Sequence, residues 1–178
     1  NRCYLQINYE DEIVIAENLK RIDSKQIKED DFEEKIKKLE KKLKIEYNEE
    51  QKNAITSALN NNITIISGGP GTGKTTIMKG IVELYRQMNK LSYDKLDQKI
   101  ALLAPTGRAA KRMSETTFMR ASTIHRFLKW SRETGKFQIN EYNKSKVEFV
   151  IIDEASMIDT YLMHSLLKGL SSNCKVVL

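Results

Sequence analysis

The sequence has little cysteine and no long apolar run, and both absences narrow the classes of protein to which it can belong. Its two cysteines, Cys3 and Cys174, form neither a CxxC pair nor a metal-binding spacing. We expect both to be reduced thiols, which predicts a cytoplasmic protein. No stretch approaches the roughly 18 apolar residues that span a bilayer, so we expect no membrane partner.

The sequence also lacks a leader-like start, internal repeats and low-complexity linkers. Its first ten residues, NRCYLQINYE, contain no apolar stretch of the secretory type and no initiator methionine. This start predicts a chain that has been cut or processed. With 178 residues, 30% of them charged and 40% apolar, the composition is typical of one soluble globular domain with an appendage.

Positive charge is concentrated in one part of the sequence. The formal net charge is +6, and residues 101–136 contain eight cations against two acids, so the remainder of the chain is neutral overall. A localised excess of this kind is typical of a protein that binds a polyanion. The eight cations are Arg108, Lys111, Arg112, Arg120, Arg126, Lys129, Arg132 and Lys136.

Residues 1–45 predict a short helical segment, which we interpret as the end of a preceding domain. Apolar residues recur at helical spacing in 11–22 and again in 30–44, while the other faces alternate Glu and Lys. No catalytic pattern is visible in this segment. We expect its helices to serve structural packing.

From residue 46 to residue 178, short apolar strands alternate with helices. Strands are predicted at 63–67, 100–104 and 147–152, and the polar residues 90–99 predict a loop. This alternation predicts an α/β fold whose mostly parallel sheet is covered by helices on both faces. Such sheets bind ligands at the carboxyl ends of their strands.

The stretch SGGPGTGKTT, residues 67–76, matches the phosphate-loop pattern G-x-x-x-x-G-K-[ST] between a strand and an amphipathic helix. Its glycines let backbone N–H groups curl around phosphate oxygens, and the helix N-terminus adds partial positive charge. We expect Lys74 to reach the β- and γ-phosphates and the Thr75 hydroxyl to hold Mg²⁺. The nucleotide-binding candidates of this loop are Gly69, Gly71, Thr72, Gly73, Lys74, Thr75 and Thr76.

A second chemical motif, VIIDEAS, ends an apolar strand with two acids. We expect Asp153 to help hold Mg²⁺ and Glu154 to polarise an attacking water. A strand that ends in Asp-Glu is a weak signal alone, but a phosphate loop upstream makes it more specific. The catalytic candidates are therefore Lys74, Asp153 and Glu154, and the metal-binding candidates are Thr75 and Asp153.

The basic segment begins with LLAPTGRAAKRM, in which a threonine can cap a helix. Arg108, Lys111 and Arg112 share one face of that helix, which suits a nucleic-acid backbone. ASTIHRFLKW then adds hydroxyls and aromatic rings between cations, an arrangement suited to the bases of a single strand. The residues alone leave alternatives open: solvated surface arginines, a core Phe127 and a structural His125.

The strings GGPGTGKTT, APTGRAAKRM, ASTIHRFL and VIIDEASM occur in this order. They resemble motifs I, Ia, Ib and II of the RecD-like superfamily-one DNA helicases, which include the alpha subunit of exodeoxyribonuclease V. The resemblance covers about residues 46–178 and implies a RecA-like P-loop NTPase domain, the first motor domain of such a helicase. It implies ATP and Mg²⁺ as cofactors, single-stranded DNA and duplex ends as substrates, and other exodeoxyribonuclease subunits as partners.

The resemblance also implies roles for single residues. Gln51 resembles the glutamine that contacts adenine, although its position three residues after an asparagine also fits a helix capping box. Thr106 and Arg108 resemble motif Ia positions that touch the single strand, while Thr123 and His125 resemble motif Ib positions near it. Together with the neighbouring cation on the same helix face, the DNA-binding candidates are Thr106, Arg108, Arg112, Thr123 and His125.

Two further expectations concern the architecture of the family. Residues 131–146 fall where the family inserts a small hairpin domain that helps part the duplex, and their Thr-Gly centre permits a hairpin. The family's later motifs and second motor domain do not appear before Leu178, which implies a fragment that is poorly active alone. Helicases of this branch move 5′ to 3′ and act in DNA recombination and repair.

Three other functions stay open at this point. Conjugative relaxase-type helicases are similar in the same motifs. A phosphate-loop kinase of small molecules would need an acceptor pocket and a mobile lid, and it leaves the basic segment unexplained. A nucleotide-dependent switch would not need Glu154 to activate water efficiently.

Overall fold

The computed structural model describes residues 5–24, 30–69 and 71–178, and these ranges contain eight α-helices and seven strands. The helices are α1 (Gln6–Asp23), α2 (Glu33–Leu43), α3 (Glu49–Asn60), α4 (Lys74–Met88), α5 (Tyr93–Lys99), α6 (Gly107–Thr117), α7 (Ile124–Phe127) and α8 (Thr160–Gly169). The strands are β1 (Ile63–Thr64), β2 (Ile100–Ala104), β3 (Ala121–Thr123), β4 (Trp130–Ser131), β5 (Lys136–Phe137), β6 (Phe149–Ile152) and β7 (Lys175–Val177).

Five strands form one parallel sheet in the order β1-β7-β6-β2-β3. β2 lies inside it and pairs Leu102 with Ile151 of β6 on one side and with Ala121 of β3 on the other. Every residue of β2 and β6 is buried, as expected for parallel strands covered on both faces. The α/β fold with a mostly parallel sheet, predicted from the sequence, is confirmed.

Alternate residues of β2 contribute to two cores on opposite faces of the sheet. Ile100 and Leu102 pack in the core that α2, α3 and α4 complete. Ala101 and Leu103 pack in the core that α1 and α8 complete. Because helices cover both faces of the sheet, the loops that follow the strands lie at its carboxyl edge.

The two N-terminal helices cover opposite faces of the sheet. α1 packs on α8, where Asp11 pairs with His164 and the Arg21 guanidinium donates to the carbonyls of Leu167 and Leu170, both at 3.1 Å. α2 packs on α4. Their apolar faces serve packing, as the helical spacing indicates, while the division of the chain at residues 45 and 46 stays a prediction.

The structure contains two elements that the sequence did not predict. The segment 90–99, predicted as a loop, contains α5, because Leu96 is fully buried in the core and its burial outweighs the polar composition around it. β3 was not predicted, since its three half-buried residues carry no alternation and are held by backbone pairing with β2.

β4 and β5 form an antiparallel hairpin that begins one residue before the segment 131–146. Trp130 pairs with Phe137, and Ser131 pairs with Lys136. The hairpin turn is closed by the Gly135 N–H, which donates to the Ser131 carbonyl at 3.0 Å. The action of this hairpin on a duplex stays a prediction. Across the described ranges, no helix combines the length and the apolar character needed to cross a membrane.

Candidate functional site

The sequence-predicted site residues gather at the carboxyl edge of the sheet, because four strands end there and each is followed by a candidate motif. The phosphate loop follows β1, and Asp153 follows β6. Thr106 follows β2 at the start of α6, and His125 lies in α7, directly after β3. The parallel order of the strands thus places the loops on one side of the molecule.

The phosphate loop has the backbone shape that its glycines allow. Gly71 and Gly73 have φ of +80° and +84°, a left-handed region in which a side chain would be strained. The Thr72 hydroxyl donates to the Gly69 carbonyl at 2.9 Å and closes the turn from within. A Cβ atom built at Gly69 or Gly71 would have no neighbour within 4 Å. The described part of the loop is therefore open to solvent at these two glycines.

Lys74 is the first residue of α4, and its side chain folds back over the loop. Its ammonium donates to the carbonyls of Gly68 at 2.5 Å and Gly69 at 2.8 Å. Thr75 and Thr76 follow in the first turn of the helix, whose N-terminus adds partial positive charge. A lysine held against the loop in this way is positioned to place its charge on phosphate oxygens.

Gln51 links the start of α3 to the phosphate loop. Its Oε1 accepts from the Asn48 N–H at 3.1 Å while the Gln51 N–H donates to Asn48 Oδ1 at 2.8 Å, which confirms the predicted capping box. Its Nε2 donates to the Thr72 carbonyl at 3.2 Å, and a Cβ at Gly73 would collide with that nitrogen. Its contact with adenine stays a prediction.

Tyr47 contacts the first turn of α4, the helix that follows the phosphate loop, and sequence analysis did not identify it. The side chain is buried, and its hydroxyl donates to the Thr76 carbonyl at 3.4 Å. Burial raises the pKa of Tyr47 to about 12, so the ring carries its hydroxyl proton at physiological pH. No spacing or motif marks this residue, because its contact with α4 exists only in the folded chain.

The two acids after β6 lie beside the phosphate loop. The Asp153 N–H donates to the Leu103 carbonyl at 3.0 Å, and Asp153 Oδ1 accepts from the Glu154 N–H at 2.9 Å. Glu154 is exposed and has a φ of 55°, which turns the chain away from the sheet. A cavity of about 400 Å³ is lined by Gly68, Lys74, Asp153 and Glu154 together.

The donor set at this cavity fits Mg²⁺. Carboxylate and hydroxyl oxygens are the ligands that this ion prefers, and it is usually held by one or two protein groups together with phosphates. Within the described part of the chain, no group of three His, Cys, Asp or Glu side chains could hold a metal by itself. Asp153, directly after β6, lines the cavity, and Thr75 follows the cavity-lining Lys74 in the first turn of α4; each is such a single oxygen donor.

The predicted cap and cation face of α6 are present. The Thr106 hydroxyl accepts from the Ala109 N–H at 3.2 Å and caps the helix. Arg108 and Arg112 are exposed, while Ala109 and Met113 on the other side of α6 are buried. Neither arginine has an ion-pair partner among the residues that the structure describes, so both charges are available to a ligand.

Thr123 and His125 lie beside this helix, since Thr123 pairs with Ala104 of the neighbouring strand. The Thr123 hydroxyl accepts from the Arg126 N–H at 3.2 Å and caps α7. His125 is exposed, and its ring lies near those of Trp130 and Phe137. The structure thus brings the motif Ia and Ib candidates to one strand pair.

Comparison with known proteins gives a consistent result. The family described as an AAA domain matches residues 51–178. The chain is 37% identical over 146 residues to the RecBCD enzyme subunit RecD of Buchnera aphidicola, covering 71% of this chain and 23% of the relative. It is 33% identical over 138 residues to the ATP-dependent RecD2 DNA helicase of Deinococcus radiodurans, covering 78% of this chain and 18% of the relative.

A solved structure shares the fold. The Pif1 helicase from Candida albicans matches 75% of this chain and 32% of its own chain, with a TM-score of 0.53 and 22% sequence identity. The present chain spans less than a quarter of the length of the two curated relatives named above.

Proposed function

Because this chain belongs to the AAA domain family and has RecD-type helicases among its relatives, we propose that it is the first motor domain of an ATP-dependent DNA helicase. The observation that carries the proposal is the cavity at the carboxyl edge that brings Lys74, Asp153 and Glu154 together. The unpaired cations of α6 lie along the same edge.

ATP binds at the phosphate loop in this proposal. Lys74 exchanges its two loop carbonyls for the β- and γ-phosphates, and the Thr75 hydroxyl and the Asp153 carboxylate hold Mg²⁺. The exposed Glu154 orients and polarises a water at the open side of the cavity. Bound together, Mg²⁺ and the nucleotide supply the chemistry of phosphoryl transfer, which the protein assists mainly by positioning and charge.

A single strand of DNA crosses the carboxyl edge near α6 and α7. Arg108 and Arg112 neutralise its phosphates, and the N-terminus of α6 beside Thr106 adds a backbone anion site. Thr123 and His125 contact the strand on the neighbouring side. The charge excess of residues 101–136 supports a polyanion as the partner of this edge.

Efficient turnover needs a second motor domain in this proposal. An arginine that reaches the transferring phosphate from across the cleft is worth about 10³–10⁵ in rate. In this proposal the arginines at the carboxyl edge bind DNA, and Arg21 caps the end of α8. Residues 1–178 therefore bind nucleotide but hydrolyse it slowly, and translocation requires the closing of two domains around ATP.

The remaining assignments rest on resemblance to the relatives. Movement from 5′ to 3′, action at duplex ends in recombination and repair, other exodeoxyribonuclease subunits as partners and a cytoplasmic location are proposed with the helicase function. A conjugative relaxase-type helicase is the nearest alternative, because it would use the same residues in the same roles.

ATP hydrolysis by the intact protein, measured with and without oligo-dT, tests the proposal. A helicase motor hydrolyses ATP faster when single-stranded DNA is bound, and Glu154→Gln removes the hydrolysis while it leaves nucleotide binding in place. A small-molecule kinase would ignore oligo-dT and depend on an acceptor. A switch would hydrolyse ATP slowly under both conditions, and either of these results would overturn the assignment.

A further inference from the structure

Four aromatic rings form a continuous strip beside the candidate DNA site. The strip consists of His125, Trp130, Phe137 and Tyr161, which come from α7, both strands of the hairpin and the first turn of α8. The Phe137 ring centroid lies 4.8 Å from that of Trp130, 5.7 Å from that of His125 and 6.2 Å from that of Tyr161. These distances are those of interacting aromatic pairs.

The rings of the strip differ in exposure in a useful way. Phe137 is 8% exposed and serves as the floor, whereas Trp130 is 41% and Tyr161 is 50% exposed. His125 is also exposed. Large aromatic faces are normally buried in the core, so two rings that remain half open around a buried third one form a preformed surface for another flat ring.

The strip is held in place from both sides. Trp130 and Phe137 are directly paired residues of the hairpin, and Ile139, two residues after it, lies against Gly169 at the end of α8. The Tyr161 ring lies 6.4 Å from His164, which pairs with the buried Asp11 of α1. The rings are therefore fixed before a ligand binds, which lowers the entropy cost of binding.

Unpaired cations surround the strip. Lys129, Arg132 and Lys136 are exposed and have no ion-pair partner within the described part of the chain. The acids nearby are Glu133 in the hairpin turn and Glu141, which lines a cavity with Phe137 and Tyr161 and pairs with Lys168 at 3.2 Å. Flat rings interleaved with cations suit a ligand that carries both bases and phosphates.

We propose that the bases of single-stranded DNA stack on Trp130 and Tyr161, so that the strip extends the strand's path from Thr123 across the hairpin to α8. This inference rests on the proposed function, because it assumes that the strand passes Thr123 and His125. A duplex does not satisfy it, since paired bases cannot lie on a protein ring. The strip reads no sequence, because every base has a flat face to offer.

Trp130 is the single tryptophan among residues 1–178, so the fluorescence of these 178 residues reports on the strip without any label. We expect oligo-dT to quench this fluorescence in proportion to binding, which is measured in parallel by the anisotropy of a labelled oligonucleotide. An abasic oligonucleotide of the same length keeps the phosphates but offers no bases. It should bind more weakly and leave the fluorescence almost unchanged.

Substitutions separate stacking from structural effects. Tyr161→Ala should weaken oligo-dT binding by about fivefold or more, the loss expected for one stacked base, and Trp130→Phe should retain most of the affinity. Phe118→Ala is the matched control, since Phe118 is 85% exposed but precedes β3 at the opposite end of the sheet. Circular dichroism verifies that each variant is folded.

The outcomes distinguish the strip from the wider proposal. If labelled oligo-dT binds but Trp130 fluorescence stays constant and Tyr161→Ala binds as the wild type does, the strip is not on the strand's path. Equal quenching by the abasic oligonucleotide would likewise overturn base stacking. If no oligonucleotide binds to the intact protein at all, the DNA function itself fails, and the strip with it.

Discussion

The side-chain amide of Gln51 is used at both ends: Oε1 accepts from the Asn48 N–H at 3.1 Å, and Nε2 donates to the Thr72 carbonyl at 3.2 Å. One residue therefore caps α3 and fixes the turn of the phosphate loop. The amide keeps a second N–H on Nε2 and a second lone pair on Oε1, so Gln51 can contact adenine while it holds both bonds. The loop and the proposed base site are thus coupled through this side chain.

Replacing Gln51 tests this coupling. Gln51→Met removes both side-chain bonds, whereas Asn48→Ala removes only the bond from the Gln51 N–H and leaves both side-chain bonds of Gln51 in place. We expect Gln51→Met to weaken the binding of Mg-GTP and inorganic triphosphate by about two- to tenfold, the worth of one net hydrogen bond, and that of Mg-ATP by at least as much. Titration calorimetry measures all three. A loss confined to ATP would instead identify Gln51 as a reader of adenine alone.

Removal of the Lys74 ammonium should weaken nucleotide binding strongly. A charge-assisted contact of this kind is worth about 1.5–3 kcal/mol, so Lys74→Ala should bind Mg-ATP about tenfold to over a hundredfold more weakly. Lys79→Ala is the control on the same helix, because its ammonium lies 4.7 Å from the Phe118 ring centroid and not over the loop. Equal affinities of wild type and Lys74→Ala would remove the nucleotide site from this loop.

Arg108 should contribute one phosphate contact to single-stranded DNA. Arg108→Ala is expected to weaken binding evenly across oligonucleotide sequences and to reduce the slope of log K against log salt by about 0.7. Lys95→Ala provides the comparison, since Lys95 is exposed on α5 outside the basic segment. An unchanged affinity and an unchanged slope in Arg108→Ala would show that Arg108 is a solvated surface charge.

Glu83 should make the stability of the domain sensitive to acid. Its bonds to Arg86, and to Lys42 and Gln87, lower the pKa of this carboxyl to about 2 against the opposing effect of burial. A lowered pKa in the folded state stabilises the protein above the ordinary pKa of about 4.5, and this contribution is lost as the pH falls towards 2.

The corresponding measurement is urea unfolding at several pH values. Glu83→Gln should lower the free energy of unfolding near neutral pH by about 1.5–3 kcal/mol, the worth of a hydrogen bond to a charged group. It should also lose less stability than the wild type on acidification. Glu34→Gln, exposed in the first turn of α2, should change neither property appreciably. Parallel pH profiles for Glu83→Gln and the wild type would refute the assignment.

The elements that the sequence predicted are those whose signals are local. The strands around Leu102 and Ile151 are short apolar runs, and the capping box of Asn48 and Gln51 spans four residues. α5 was missed because the burial of Leu96 depends on the rest of the core. Such burial cannot be read from the mostly polar residues around Leu96.

The contacts that organise the candidate site were also beyond the sequence. Gln51 and Thr72 are 21 residues apart, and no spacing rule connects them. Tyr161 and Phe137 are 24 residues apart, and only the folded chain brings the half-exposed Tyr161 ring to the hairpin. Motifs thus predicted the candidate residues for phosphate binding, while the structure shows the side chains that contact them.

Strand separation by the intact protein tests the central claim most directly. The substrates are three short duplexes, one with a 5′ single-stranded tail, one with a 3′ tail and one with blunt ends. The account predicts ATP-dependent separation of the 5′-tailed duplex, and its loss in Lys74→Ala. Hydrolysis of ATP without separation of any of the three duplexes would contradict a helicase motor.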